Sequence, residues 1–242
     1  MRAGSRAGVT LMELLIAVSL VSLLSVGILM AMRVGVNAME KANNRLLSNR
    51  RVIGSQRILE QQIAGMIVTT ANCGIDGGGA GSRLPFFQGE PQSMRFVSAY
   101  SLEEAWRGYP RILEFTVIPG DNNEGVRLVV NELLYSGPQS TGLLCTGPGG
   151  GPGARFRPIE IGPKSFVLAD KLGMCRFTFL EAVQGTPEKR WVPLWTTPEF
   201  PVAIRIEMAS LEPDPSRLPM LTMTAPVRVN KHPLYPYADT FK

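Results

Sequence analysis

Apolar and polar positions alternate along this chain with more than one period, and each period predicts a different element. Residues 14–32 contain no charged side chain; as a helix they would span about 28 Å, close to the roughly 30 Å hydrocarbon core of a bilayer. Residues 33–66 keep helix formers and place Val36, Met39, Leu46, Ile53, Ile63 and Met66 at spacings of three, seven or ten, which predicts one apolar stripe on a helix continuous with the span. No proline occurs before Pro85, and the helix stop is read at Cys73-Gly74, ahead of Asp76 and a run of glycines. Past that break the period becomes two. Strands are predicted over 94–98, 111–118, 126–135, 166–168, 174–180, 202–209 and 221–230, with turn residues between them. Cys175, Phe177 and Phe179 share one face, and Val202, Ile204 and Ile206 oppose Arg205 and Glu207. Such alternation predicts antiparallel strands with one wet side. The expected class is α+β: a long N-terminal spine helix, membrane-spanning in its first half, packed on an antiparallel strand-rich head.

Composition narrows the chemistry. The 242 residues are 45 % hydrophobic, which is enough for a packed core, and carry 25 glycines and 19 prolines, a loop-rich but not low-complexity content. A single histidine removes most His-dependent catalysis, and the three cysteines include no paired CxxC for a structural zinc. The net charge of +5 is confined to residues 1–65, which hold eight basic and three acidic side chains, while the rest of the chain is balanced. A neutral head is not a basic binding domain, so no nucleic-acid partner is expected. No cofactor is expected either.

The N-terminal residues carry a more specific signal. A short leader with Arg2 and Arg6 is followed by Gly8-Val9-Thr10-Leu11-Met12-Glu13 and then the span. An ordinary secretory signal would have a shorter apolar region and a small-residue cleavage site after it; here the small-residue break, Ala7-Gly8, comes before it. This arrangement resembles the class III signal of type IV pilins and type II secretion pseudopilins. The resemblance implies that a membrane peptidase cuts between Gly8 and Val9, methylates the new Val9 amine, and leaves Glu13 as the fifth mature residue. Val9 departs from the phenylalanine usual at that position. A carboxylate beside the membrane seeks a cation, and the Val9 amine of a neighbouring subunit would supply one; the alternative is that Glu13 sits unpaired at headgroup level. The excess of basic residues after the span favours, by itself, an inverted orientation, whereas the leader motif requires a cytoplasmic N-terminus and a periplasmic head.

Within the span, Gly27, Ala31 and Gly35 recur every fourth residue. They form either a ridge for close approach of a partner helix or the ordinary small-residue content of a membrane helix. In the head, the run from Val167 to Phe179, then Trp191 and Trp195, then Phe200-Pro201-Val202-Ala203-Ile204-Arg205-Ile206, resembles the minor pseudopilin J family. That resemblance implies a structural, non-enzymatic subunit that starts or caps a periplasmic pseudopilus in type II secretion. It implies other minor pseudopilins (the I and K types), the major pseudopilin, the prepilin peptidase and inner-membrane lipid as partners. A minor type IV pilin, acting in pilus assembly, adhesion or DNA uptake, is the alternative. The expected organisation is a leader over 1–8, a transmembrane half-helix over 9–32, a periplasmic half-helix over 33–72, a head over 73–230 and a tail over 231–242.

Other features offer little chemistry. The glycine-rich run 147–153 lacks the Lys-Ser/Thr of a phosphate loop, and Gly162-Pro163-Lys164-Ser165 puts proline where a backbone donor is needed. Asp121-Asn122-Asn123-Glu124-Gly125 reads as a hairpin connection rather than a calcium loop. Cys73 and Cys145 both lie in glycine-rich loops. A disulfide between them is allowed in an oxidising compartment, with Cys175 a buried thiol, but spacing alone does not set the connectivity. His232 falls in a polar tail. No catalytic constellation and no metal-ligand cluster is visible.

Overall fold

The computed structural model describes residues 10–73, 82–104, 107–148, 154–183, 185–211 and 221–228. The fold is α+β: a long N-terminal helix, apolar over residues 11–43, and a nine-stranded antiparallel sheet. A helix leading into an antiparallel domain is consistent with a pilin-like arrangement. The chain divides into two compact units after Ser48.

Helix α1 (Leu11–Ala64) ends earlier than residue 72. Gly65 N–H closes the last helical bond to the Gln61 carbonyl at 2.9 Å, and the Gly65 carbonyl already accepts Ala99 N–H at 2.8 Å. A Cβ at Gly65 would overlap the Tyr100 ring; the chain therefore turns where only glycine fits, and the β-branched run Ile67-Val68-Thr69-Thr70 continues in extended form. Gly65→Ala should lower stability by about 1–3 kcal/mol, read as a shift in the urea midpoint of the detergent-solubilised chain.

The predicted stripe is also corrected. Ser55, Leu59, Gln62 and Ile63 are the buried face of the helix, at i, i+4, i+7 and i+8, whereas Val36, Met39 and Ile53 are exposed. At 100° per residue Ile53 lies about 80° round the helix from Ile63, and Val36 about 180°. Leu46 lies outside the described side chains, and Met66 is buried in a strand rather than in the helix.

After the helix come β1 (Met66–Ile67), β2 (Thr70–Cys73), β3 (Ser82–Pro85), β4 (Gln88–Gly89), β5 (Ser93–Tyr100), β6 (Arg107–Pro119) and β7 (Val126–Leu134). A short helix α2 (Pro138–Gly142) precedes β8 (Cys145–Pro148), β9 (Ala154–Phe156), β10 (Phe166–Ala182), β11 (Lys189–Val192), β12 (Ala203–Ser210) and β13 (Leu221–Pro226). The main sheet runs β1-β5-β6-β7-β10-β12-β13, with β4 on β5 and β11 on β10, while β2-β3 and β8-β9 form two small separate ladders.

Residues 166–168 and 174–180 belong to one 17-residue strand, β10. Ala169-Asp170-Lys171-Leu172-Gly173 reads as a turn but forms irregular register in which β10 passes from pairing with β7 to pairing with β12. Lys171 takes φ 55° there, and its N–H donates to the Asp170 carboxylate at 2.7 Å. Alternate side chains (Met94 and Phe96 of β5, Leu113 and Phe115 of β6, Phe177 and Phe179 of β10, Ile204 and Ile206 of β12) join Leu59 and Ile63 of the helix in one core. The opposite faces of β5 and β6 lie under a thin second layer, where Val97 and Ile112 meet Ala71, Cys73, Phe86 and Cys145.

Candidate functional site

The N-terminal half of α1 is built to face something other than its own chain. Every described side chain from Leu11 to Asn43 is exposed, yet this segment has the length to cross a membrane and holds an 18-residue stretch with a mean hydropathy of 2.6. Its serine hydroxyls are satisfied from within. Ser19, Ser22 and Ser25 donate to the Ile16, Val18 and Val21 carbonyls at 2.8 Å each, which lets serine sit in an apolar surrounding without an orphaned hydroxyl. A helix of this kind suggests a membrane anchor or a signal.

Gly8 and Val9, the predicted cleavage pair and methylation position, lie outside the described residues, as does His232. Glu13 is described, and it has a local role that the sequence reading missed. Thr10 precedes the helix, its Oγ1 accepts Glu13 N–H at 3.4 Å, and the Glu13 carboxylate accepts Thr10 N–H at 3.4 Å. Thr-x-x-Glu before an apolar run is a capping box, a signal that was available in Thr10-Leu11-Met12-Glu13. Both bonds are long, as is Thr10 Oγ1 to Glu13 Oε2 at 3.5 Å, so the box holds the carboxylate at the helix end while leaving acceptor capacity on it.

Gly27, Ala31 and Gly35 lie on the exposed segment, and a Cβ at Gly27 or Gly35 would meet nothing within 4 Å. The two glycines are therefore not required by packing within this chain.

In the head, Cys73 of β2 and Cys145 of β8 are joined by a disulfide, with Cα atoms 5.5 Å apart. Both are buried, and the bond ties the second layer across the sheet. A structural disulfide suggests an extracytoplasmic domain. Cys175 is free and buried, and burial pushes its thiol up to about 12; it is chemically inert at neutral pH.

Beneath the second layer lies a buried ion pair that the sequence reading did not find. Arg95 Nε donates to Glu114 Oε1 at 2.7 Å, Nη1 to Gln88 Oε1 at 2.7 Å and Nη2 to the Arg157 carbonyl at 3.1 Å. Asn131 Nδ2 donates to the second Glu114 oxygen at 3.0 Å, and to the Glu160 carbonyl at 2.8 Å. Burial depresses the Arg95 pKa, and the Glu114 carboxylate works against that shift. The period-two pattern places Arg95 on the face of Val97 and Glu114 on the face of Ile112, and the β5–β6 register then sets the two directly opposite each other.

The Asp121–Asn123 connection between β6 and β7 is a hairpin link whose carboxylate is occupied. Arg127 bonds both Asp121 and Asp170, the latter at 2.9 Å. Burial opposes ionisation of Asp170, but the bonds from Arg127 and from Lys171 N–H outweigh it and hold its pKa below the ordinary carboxylate value. The stability this clamp contributes is present above the unfolded-state value and lost as pH falls through the lower folded one. Thermal melts of the detergent-solubilised chain between about pH 5 and pH 2 should show that loss, and Asp170→Asn should flatten the profile by removing the increment above pH 4.

Gly162 to Ser165 is a turn closed by Ser165 N–H to the Gly162 carbonyl at 3.0 Å, with Ser165 Oγ donating to Asn131 Oδ1 at 2.6 Å. The glycine-rich run at 147–153 lies largely outside the described residues. Among the described residues no group of three His, Cys, Asp or Glu side chains is placed to hold a metal. No protein-family model matches the chain, and no curated protein matches it.

Proposed function

We propose that this chain is a minor pseudopilin of the type II secretion system, a structural subunit that initiates or caps the periplasmic pseudopilus. The observation that carries the reading is α1: an apolar segment wholly unburied by its own chain, with a carboxylate in its first turn, whose last turns are core residues of a β-rich head. In this reading Glu13 meets the methylated Val9 amine of a neighbouring spine, and the buried pair sets register because a slip by one subunit leaves a charge unpaired. Gly27, Ala31 and Gly35 admit a close helix neighbour. The chain is inserted once in the inner membrane, N-terminus in the cytoplasm and head in the periplasm, and moves into the filament after cleavage. Its partners are the I- and K-type minor pseudopilins and the major subunit.

Mass spectrometry of the chain from cells containing the peptidase should find a terminus at a methylated Val9. An intact terminus beginning at Met1 overturns the reading. Co-purification with the I- and K-type subunits is the second expectation; incorporation into a retractable surface pilus instead would assign the chain to the minor type IV pilins. Glu13→Gln should abolish incorporation into filaments while the near-ultraviolet circular dichroism of the head stays unchanged, since Glu13 belongs to a separate compact unit.

A further inference from the structure

The second layer covers only part of the sheet. Over β5 and β6 it closes on Val97 and Ile112. On β10, β12 and β13 the face turned away from the core carries Thr178, Arg205 and Thr224 in one row and Leu180, Ala203 and Pro226 in the next. Thr222, Thr224 and Pro226 are exposed, so the layer does not reach this end of the sheet. Strand β11 adds Trp191, opposite Leu180, and the Arg205 guanidinium lies over the indole with Cζ 4.0 Å from the ring centroid.

Charge chooses what this face takes. Glu207, the carboxylate on this face of β12, is already used by Arg176 at 3.0 Å, and Glu181 is used by Arg190 at 2.8 Å. Arg205 has the indole but no carboxylate among the described residues, and its Nε is enclosed without an acceptor. Lys189 shares the face of Trp191, two residues away on the same strand, and is exposed. Arg228, two residues beyond Pro226, is exposed as well. Cations therefore stand here without counter-ions. A stacked guanidinium keeps its planar edge for a carboxylate, and the enclosed Nε leaves it less hydrated than a surface arginine, so the pair gains more than a fully solvated one. The apolar row of Leu180, Ala203 and Pro226 alongside suits a peptide better than a bare anion. Nucleic acid is the weaker complement, because basic and acidic residues balance beyond residue 65 and the head has no extended positive field to draw a polyanion.

We propose that this open face binds an acidic segment of another protein, with one carboxylate on Arg205 beside Trp191 and a second on Lys189. The face belongs to the head, and the proposal does not depend on the filament reading; a failed cleavage assay and a failed titration are separate results.

The test is titration of the full chain, in a zwitterionic detergent, with an acetylated and amidated hexapeptide of alternating aspartate and leucine, following the Trp191 indole N–H resonance assigned through Trp191→Phe. A saturable shift is expected, with affinity falling as salt is raised and falling about tenfold in Arg205→Gln, the loss of one charge-assisted pair. Lys189→Gln should also weaken binding, whereas Lys164→Gln, an exposed cation in the 162–165 turn, should leave it unchanged. The matching asparagine–leucine peptide should leave the resonance in place. Should Arg205→Gln fail to fold, the contrast between Lys189→Gln and Lys164→Gln still decides. No saturable shift, an equal shift from the asparagine peptide, equal weakening by the two lysine variants, or tighter binding of hexathymidylate than of the acidic peptide each overturns the proposal.

Discussion

Glu114→Ala should destabilise the head by about 3–5 kcal/mol, measured by chemical denaturation of the detergent-solubilised chain. Arg95 is 1 % exposed, so removing its carboxylate leaves a guanidinium in an apolar layer with only two neutral acceptors, Gln88 Oε1 and the Arg157 carbonyl. Asn131 loses one of its two acceptors as well. Arg95→Met should cost a similar amount for the converse reason, a buried carboxylate that loses its counter-ion and keeps the neutral Asn131 donor. The double variant Arg95→Met/Glu114→Leu carries neither charge, and its cost should be well below the sum of the singles. Strict additivity would show that the two groups do not act as a pair.

Cys73→Ser/Cys145→Ser should cost about 4 kcal/mol, because the bond closes a loop with a sequence separation of 72. The effect reaches beyond chain entropy. The layer held by this disulfide includes Phe156, whose ring lies 5.4 Å from the Arg95 guanidinium, and leads directly into Arg157, whose carbonyl accepts from it. Loosening the layer lets water reach the ion pair. The cost of Glu114→Ala should accordingly shrink in the double-serine background, and an undiminished cost would show that the layer stays closed without the bond.

Much of this was readable beforehand, for a physical reason. Strands β12 and β13 bury one face deeply and leave the other open, and that leaves period-two alternation in the residues themselves. The transmembrane-length apolar run is equally plain, because length and absence of charge are its whole signal. The elements that were missed have other origins. The β2–β3 and β8–β9 ladders are three or four residues a strand, joined through glycine-rich sequence, and are tied together by the disulfide rather than marked by pattern. The end of α1 was placed at the conspicuous glycine cluster, when Gly65 against the Tyr100 ring is the contact that stops it. The break inside β10 looked like a turn because Asp-Lys-x-Gly is turn chemistry, yet here the Asp170 carboxylate serves Arg127 and a backbone N–H within one strand. The Arg95–Glu114 pair requires knowing the β5–β6 register, which no local window contains.

The buried disulfide has a consequence for how the head is made. Between its two cysteines in the chain lie β5, β6 and β7, the middle of the sheet. Once the covering layer has closed, neither sulfur is open to an oxidant. The bond is therefore made before the covering layer shuts, while both sulfurs are still within reach of an oxidant.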